Sequence, residues 1–184
     1  MSTSGKRNAE SSRRDRNKTE RREEIVAAAT RLFSRLSYAD VQVDQVAQAA
    51  DIGKPTLYRY FPSKDDLFLE VSDRALAELQ RSLAEVHASG MSPERMLERM
   101  VELLIHALRQ HFASLRILSG EHPVLADRWR GMFRNRRKAI NATLAAVLRA
   151  GAAQGEFRSL DFEIAPGMII GMIYRLPLVT DMLG

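Results

Sequence analysis

Between residues 19 and 36 the apolar side chains return to one side of the chain. Ile25, Ala28, Ala29, Leu32, Phe33 and Leu36 fall at i, i+3, i+4, i+7, i+8 and i+11, the spacing of a core-facing helical stripe. A helix from about Thr19 is predicted. Next, Val46, Ala47 and Ala50 share a face, while Asp44, Gln45 and Gln48 fall toward water. After Asp51-Ile52-Gly53, Leu57 and Phe61 stand four apart and leave Lys54, Thr56, Tyr58, Arg59 and Tyr60 largely away from the apolar side. Gly53 suits an N-cap, with Lys54 at N1 and Pro55 at N2, where the missing N–H has no intrahelical partner to lose. So short a turn makes the flanking helices cross steeply, which predicts a helix-turn-helix over residues 43–62. Its free face of hydroxyls, rings and cations suits a DNA groove.

The rest of the chain is patterned for helices as well. Ser63 followed by Asp66 resembles a capping box with Asp in place of Glu, and Asp65 and Asp66 suit a positive helix start. Leu67, Phe68, Val71, Ala75, Leu79, Leu83 and Val86 carry a stripe to about Ala88. Ser89-Gly90 breaks it, and Ser92-Pro93 restarts a helix holding Leu97, Met100, Val101, Leu104, Ile105 and Leu108. After a break near Ser119-Gly120, pattern resumes at Pro123 and runs toward Ala153, with an interruption near Gly131. Ile140, Leu144, Val147, Leu148 and Gly151 form one of its faces. Asp161 is an N-cap candidate for a last helix holding Ile164, Met168, Ile169, Met172, Ile173 and Leu176. Nothing reads as a strand. The expected fold is all-α, with a disordered basic arm over 1–18, a DNA-binding domain over 19–65 and a helical regulatory and dimerisation domain over 66–184.

Charge sharpens this division. Of the formal net charge of +5, all lies in residues 1–64, which hold 13 Lys and Arg against 8 Asp and Glu, while 65–184 hold 15 of each. A basic module beside a neutral body is what a phosphate-facing unit would show. A solubilising tail is the alternative, but Lys54, Arg59 and Lys64 lie outside the tail. Arg7, Arg13, Arg14 and Arg16 make residues 1–18 either a solvated tail or an arm that touches phosphates or enters a minor groove. The chain has no cysteine, which excludes disulfides, zinc fingers and thiol catalysis. The N-terminus has no apolar signal-like region, and the run from Met168 to Tyr174 is too short to span a bilayer. A cytoplasmic protein without membrane partners is expected.

Ile25, Ala28, Ala29, Leu32 and Phe33, then Val46, Ala47 and Ala50, then Lys54-Pro55-Thr56-Leu57-Tyr58-Arg59-Tyr60-Phe61-Pro62-Ser63-Lys64 with Leu67, together resemble the TetR family of bacterial transcriptional regulators. The match covers roughly residues 20–70; beyond, the resemblance is one of layout. It implies that the third helix lies in the major groove. Lys54, Pro55 and Thr56 then become candidates for base edges, and Tyr58, Arg59, Tyr60 and Lys64 for phosphates. The chemistry agrees, since a lysine donates to guanine O6/N7 and a Pro or Thr methyl packs on a thymine methyl. For Tyr58 and Tyr60 the alternative is packing into the small core. Three positions depart from the family pattern: Asp51 replaces a turn glycine, Gln42 replaces a phosphate-touching Thr or Ser cap, and Ser37 replaces the glycine before Tyr38.

The same resemblance implies a homodimer on a pseudo-palindromic operator, paired through the last two long helices. The matching faces are Ile140, Leu144, Val147 and Leu148, and Met168, Ile169, Met172 and Ile173; intramolecular core is the alternative. It also implies a small effector inside the second domain, with Met96, Met100, Leu104, Phe112, Trp129 and Phe133 as candidate apolar lining, though each also fits ordinary core. Repression is the family default. Glu102 and His106 stand four apart but lack a third metal ligand, and no cofactor is implied. No nucleophile elbow, phosphate-binding glycine loop or telling acid–base spacing suggests an enzyme. The competing function is a basic helical adaptor that grips polyanions without reading sequence.

Overall fold

A computed structural model describes residues 3–115, 122–159 and 161–173, with side chains for 16–110, 122–159 and 161–173. Among them every regular element is a helix: α1 (Thr3–Phe33), α2 (Val43–Ala49), α3 (Lys54–Tyr60), α4 (Lys64–His87), α5 (Pro93–Leu115), α6 (Pro123–Met132), α7 (Arg134–Ala153) and a short α8 over residues 165–173. Phe112 lies outside the described side chains, and Ser119-Gly120, Leu160 and Leu176 lie outside the described residues. No described helix is long and apolar enough to cross a membrane.

Two compact units divide between Val71 and Ser72. The first therefore includes the opening turns of α4, which the hydropathy pattern had assigned to the second. Packing gives the reason: Leu67, Phe68, Leu69 and Val71 are all buried, and the Phe68 ring meets the buried Phe33 ring edge-on at 5.3 Å. Another difference lies at the N-terminus, where α1 is helical from Thr3 rather than from about Thr19. The extra turns hold six Lys and Arg among residues 3–18, good helix formers that propagate a helix once a packed segment such as Ile25–Phe33 has nucleated it.

In the first unit Ile25, Val26, Ala28, Ala29 and Phe33 of α1 are buried with Val46 and Ala47 of α2, Leu57 of α3 and Phe61 after it. Burying each large side chain contributes about 1.5–3 kcal/mol before entropy is charged against it. Leu32 and Leu36 of the expected stripe are half-buried.

In the second unit Leu83 of α4, Met100 and Leu104 of α5, and Ile140, Leu144 and Val147 of α7 form one core, against which Met96, Leu97, Ile170 and Ile173 pack in part. The ends of its helices follow local chemistry. Ser92 precedes Pro93 and accepts from the Arg95 N–H at 3.5 Å; the Glu156 carboxylate accepts from the Glu94 N–H at 2.8 Å and closes a second N-terminal donor of α5. α7 ends where Gly155 takes φ +78°, with Glu156 N–H bonded to the Gly151 carbonyl at 2.9 Å and Gly155 N–H to Ala152 at 3.2 Å, a Schellman stop. Asp161 caps the next turn, its Oδ1 accepting from Glu163 N–H at 2.9 Å and Ile164 N–H at 3.2 Å. The expected interruption between α6 and α7 falls at Phe133.

Candidate DNA-binding surface

The turn between α2 and α3 is built from a strained residue. Asp51 has φ +51°, the left-handed region, and is the one non-glycine residue with positive φ among those described. It is the C′ residue of a Schellman stop: Ile52 N–H reaches the Ala47 carbonyl at 3.0 Å and Asp51 N–H reaches Gln48 at 3.1 Å. An aspartate enters this region more readily than most side chains, so the turn keeps its shape without the glycine. Gly53 is the N-cap of α3, and Pro55 sits in its first turn. At the other end of α2, Gln42 is the N-cap, and its N–H is taken by Gln45 Oε1 at 3.0 Å.

α3 buries Leu57 alone of its residues, so its remaining side chains are offered outward. Lys54, Pro55 and Arg59 are exposed, as is Gln42 at the N-cap of α2, and Thr56 and Tyr60 are half-buried. Tyr58 is 40 % exposed, so its ring is not core. Tyr60 lies 5.6 Å from the Arg59 guanidinium, a cation–π contact that fixes the guanidinium on the outer face. Lys54 Nζ meets Asp44 at 2.9 Å and 3.1 Å. The Asp44 carboxylate, by its hydrogen bond first and its charge second, raises the Lys54 pKa above the ordinary lysine value.

Lys64, the first residue of α4, is held more tightly than a free phosphate ligand would be. Its ammonium lies 4.4 Å from the centre of the Tyr38 ring and donates to the Ala39 carbonyl at 3.3 Å. Partial burial lowers its pKa, against the opposing charges of Asp40 and Asp65. Tyr38 in turn donates to Asp65, and its ring meets Phe68 edge-on at 5.3 Å. Ser63 caps α4 as its residue type suggests: Oγ accepts from the Asp66 N–H at 3.1 Å and donates to Asp66 Oδ2 at 2.6 Å. An open groove of about 740 Å³ runs between Lys18, Arg21 and Glu24 of α1 and Thr56, Arg59 and Tyr60 of α3. α1 thus brings Lys18 and Arg21 beside α3.

The residues expected in the second unit are distributed differently. Ile140, Leu144, Val147 and Leu148, expected on a dimer surface, are buried by their own chain. Ile140, Leu144 and Val147 are core because Leu83 of α4 and Met100 and Leu104 of α5 share their cluster. Met168 and Met172 are 59 % and 62 % exposed, with Ile164 at 57 % one turn earlier, so an apolar row is open on this side. Ile169 and Ile173 are half-buried, and Ile173 packs on the core. Of the expected effector lining, Met100 and Leu104 belong to the same core, with Met96 packed against it. Trp129 and Phe133 are buried edge to face at 5.2 Å. The indole Nε1 of Trp129 is buried without a hydrogen-bond partner among the described residues. An open groove of about 500 Å³, lined by Ser82, Val86, Met91, Arg95, Glu98 and Leu103 among others, includes none of the six. Glu102 pairs with Arg99 at 2.7 Å and His106 with Gln110 at 2.8 Å, so these two residues have separate partners.

Periodicity missed the polar pairs that hold the surface: Asp44 with Lys54, Tyr38 with Asp65, and Arg22 with Glu70 at 2.7 Å through both guanidinium nitrogens. Their separations of 10, 27 and 48 residues leave no local spacing to detect.

Comparison with known proteins agrees with this geometry. Residues 25–71 match the model for bacterial regulatory proteins of the tetR family, and residues 90–177 match a tetracyclin repressor-like C-terminal domain. The chain is 30 % identical over 158 residues to the uncharacterized HTH-type transcriptional regulator Rv1556 of Mycobacterium tuberculosis, covering 82 % of this chain and 74 % of that one. It is 29 % identical over 141 residues to the HTH-type transcriptional regulator EthR of Mycolicibacterium smegmatis, covering 74 % of this chain and 65 % of EthR, just under two thirds of that relative. Its fold matches that of AibR, solved in complex with isovaleryl coenzyme A and operator DNA, with a TM-score of 0.67 at 20 % identity over 85 % of each chain. A buried three-helix core that turns Lys54, Tyr58 and Arg59 outward, followed by a second helical unit matched in its own right, makes this chain a member of the tetR family of bacterial transcriptional regulators.

Proposed function

We propose that this chain binds a pseudo-palindromic operator as a two-fold homodimer, represses transcription from it, and is released by a small molecule held in its second unit. The observation that carries DNA reading is the face of α3. One leucine is buried and Lys54, Pro55, Tyr58 and Arg59 stand in solvent, so groove contact costs the fold nothing. Lys54, Pro55 and Thr56 lie in the first turn and are assigned to base edges; Gln42, Tyr58, Arg59, Tyr60 and Lys64 are assigned to phosphates.

The dimer contact is assigned to the row Ile164, Met168 and Met172, whose exposure would be covered by its two-fold copy. The effector reading is supported by the Trp129 indole N–H, a buried donor that an acceptor on a ligand would satisfy. AibR in its DNA complex also holds an acyl thioester, isovaleryl coenzyme A, and an apolar ligand with a carbonyl acceptor is the class assigned here. The test of DNA reading is selection of binding sites from random duplex DNA by the purified chain. An enriched two-fold motif is expected. A pool that stays random while binding remains salt-sensitive overturns the reading in favour of a polyanion grip.

A further inference from the structure

We propose that Asp44 is a specificity-determining positioning residue, which turns Lys54 from a general phosphate grip into a directional reader of one base. This rests on α3 being the base-reading helix. Lys54 is the first residue of α3, at the positive end of its dipole, where a cation is unfavourable and where the helix supplies no acidic residue of its own. The missing negative charge comes from Asp44 in the first turn of α2. The ammonium meets both carboxylate oxygens, at 2.9 Å and 3.1 Å.

An ammonium has three donors and no acceptor, so a lysine held by two contacts keeps a donor to offer. The carboxylate also neutralises most of the field by which Lys54 would attract any phosphate. The directional hydrogen bond survives while the sequence-blind attraction is reduced. Lys54 and Asp44 side chains are 50 % and 68 % exposed, and such pairs shift an equilibrium by a factor of about two to five. That is too little for a structural clamp and enough to alter the ratio of operator to random binding.

The test uses the full chain, the duplex recovered by site selection and a random duplex of equal length. Asp44→Asn is expected to tighten random binding by about two- to five-fold, to lower the operator-to-random ratio, and to steepen the random-DNA salt slope by about 0.9. Asp44→Glu, which keeps the charge, should stay closer to the parent ratio. In a Lys54→Ala background, Asp44→Asn should leave the ratio unchanged. An equal change on both duplexes with an unchanged slope would overturn the proposal, since a structural role moves both alike. So would a ratio that still falls without Lys54, because the carboxylate would then act on DNA directly. A selection that yields no motif overturns the base-reading role of α3 and that of Asp44 with it. A motif bound with unchanged discrimination overturns the role of Asp44 alone.

Discussion

Arg22 of α1 grips Glu70 of α4 with both guanidinium nitrogens, each 2.7 Å from a carboxylate oxygen, and lies 5.0 Å from the centre of the Phe61 ring. The two residues are 48 positions apart, so the contact fastens the first helix of the DNA-binding unit to its last. A planar fork on a carboxylate, half-shielded by an aromatic ring, outperforms a freely exposed pair. Arg22→Ala is expected to cost about 1 kcal/mol in urea denaturation, and Arg22→Lys to recover little, since an ammonium cannot make the paired contact. Full recovery by lysine would show that charge alone matters.

Asp51 carries a conformational cost at φ +51°. Replacing it with Gly removes the strain but adds unfolded-state entropy, so Asp51→Gly is expected to change stability by no more than about 1 kcal/mol. A β-branched residue fits left-handed backbone far worse, and Asp51→Val should lose about 1–2 kcal/mol. Thermal melting of the two variants checks the difference. Equal melting temperatures would mean that the turn relaxes out of this geometry.

Gly151 lies beneath the Phe157 ring so closely that an added Cβ would stand 2.2 Å from a ring carbon. Gly151→Ala is therefore expected to destabilise the second unit by about 1–3 kcal/mol despite alanine's better helix propensity. In a Phe157→Ala background the same substitution should be neutral or favourable, which a double-mutant cycle by denaturation would show. A persistent loss there would place the clash elsewhere.

Trp129 supplies a test of the buried donor. Trp129→Phe keeps an aromatic ring against Phe133 and removes the unpartnered N–H, so it should cost only the buried ring area it removes, about 1–2 kcal/mol, with no further loss for a broken hydrogen bond. Because Trp129 is the one tryptophan of the chain, its intrinsic fluorescence reports this site alone. A loss well beyond that cavity cost would show that the indole N–H makes a structural hydrogen bond.

Much of the DNA-binding unit was legible because its signals are local. Gly53-Lys54-Pro55 marks a helix start and Ser63 with Asp66 marks a cap, and the structure has both. The left-handed Asp51 was legible only through the family resemblance, which places a turn glycine at this position; nothing in the local pattern marks it. The face of α7 shows the limit. Spacing identifies Ile140, Leu144 and Val147 as buried, but periodicity names a face and not what covers it. The chain's own α4 and α5 do so. Polar pairs across long separations, such as Arg22 with Glu70, leave no trace in hydropathy at all.

The most direct test of base reading by α3 repeats the binding-site selection with Lys54→Ala and Lys64→Ala beside the parent chain. Lys54→Ala is expected to relax the base preference at one position in each half-site, at a cost of about 1–3 kcal/mol on the parent motif. Lys64→Ala should keep the motif, weaken operator and random DNA alike, and flatten the salt slope by about one. A parent motif recovered unchanged by Lys54→Ala would contradict the assignment of Lys54 to base reading.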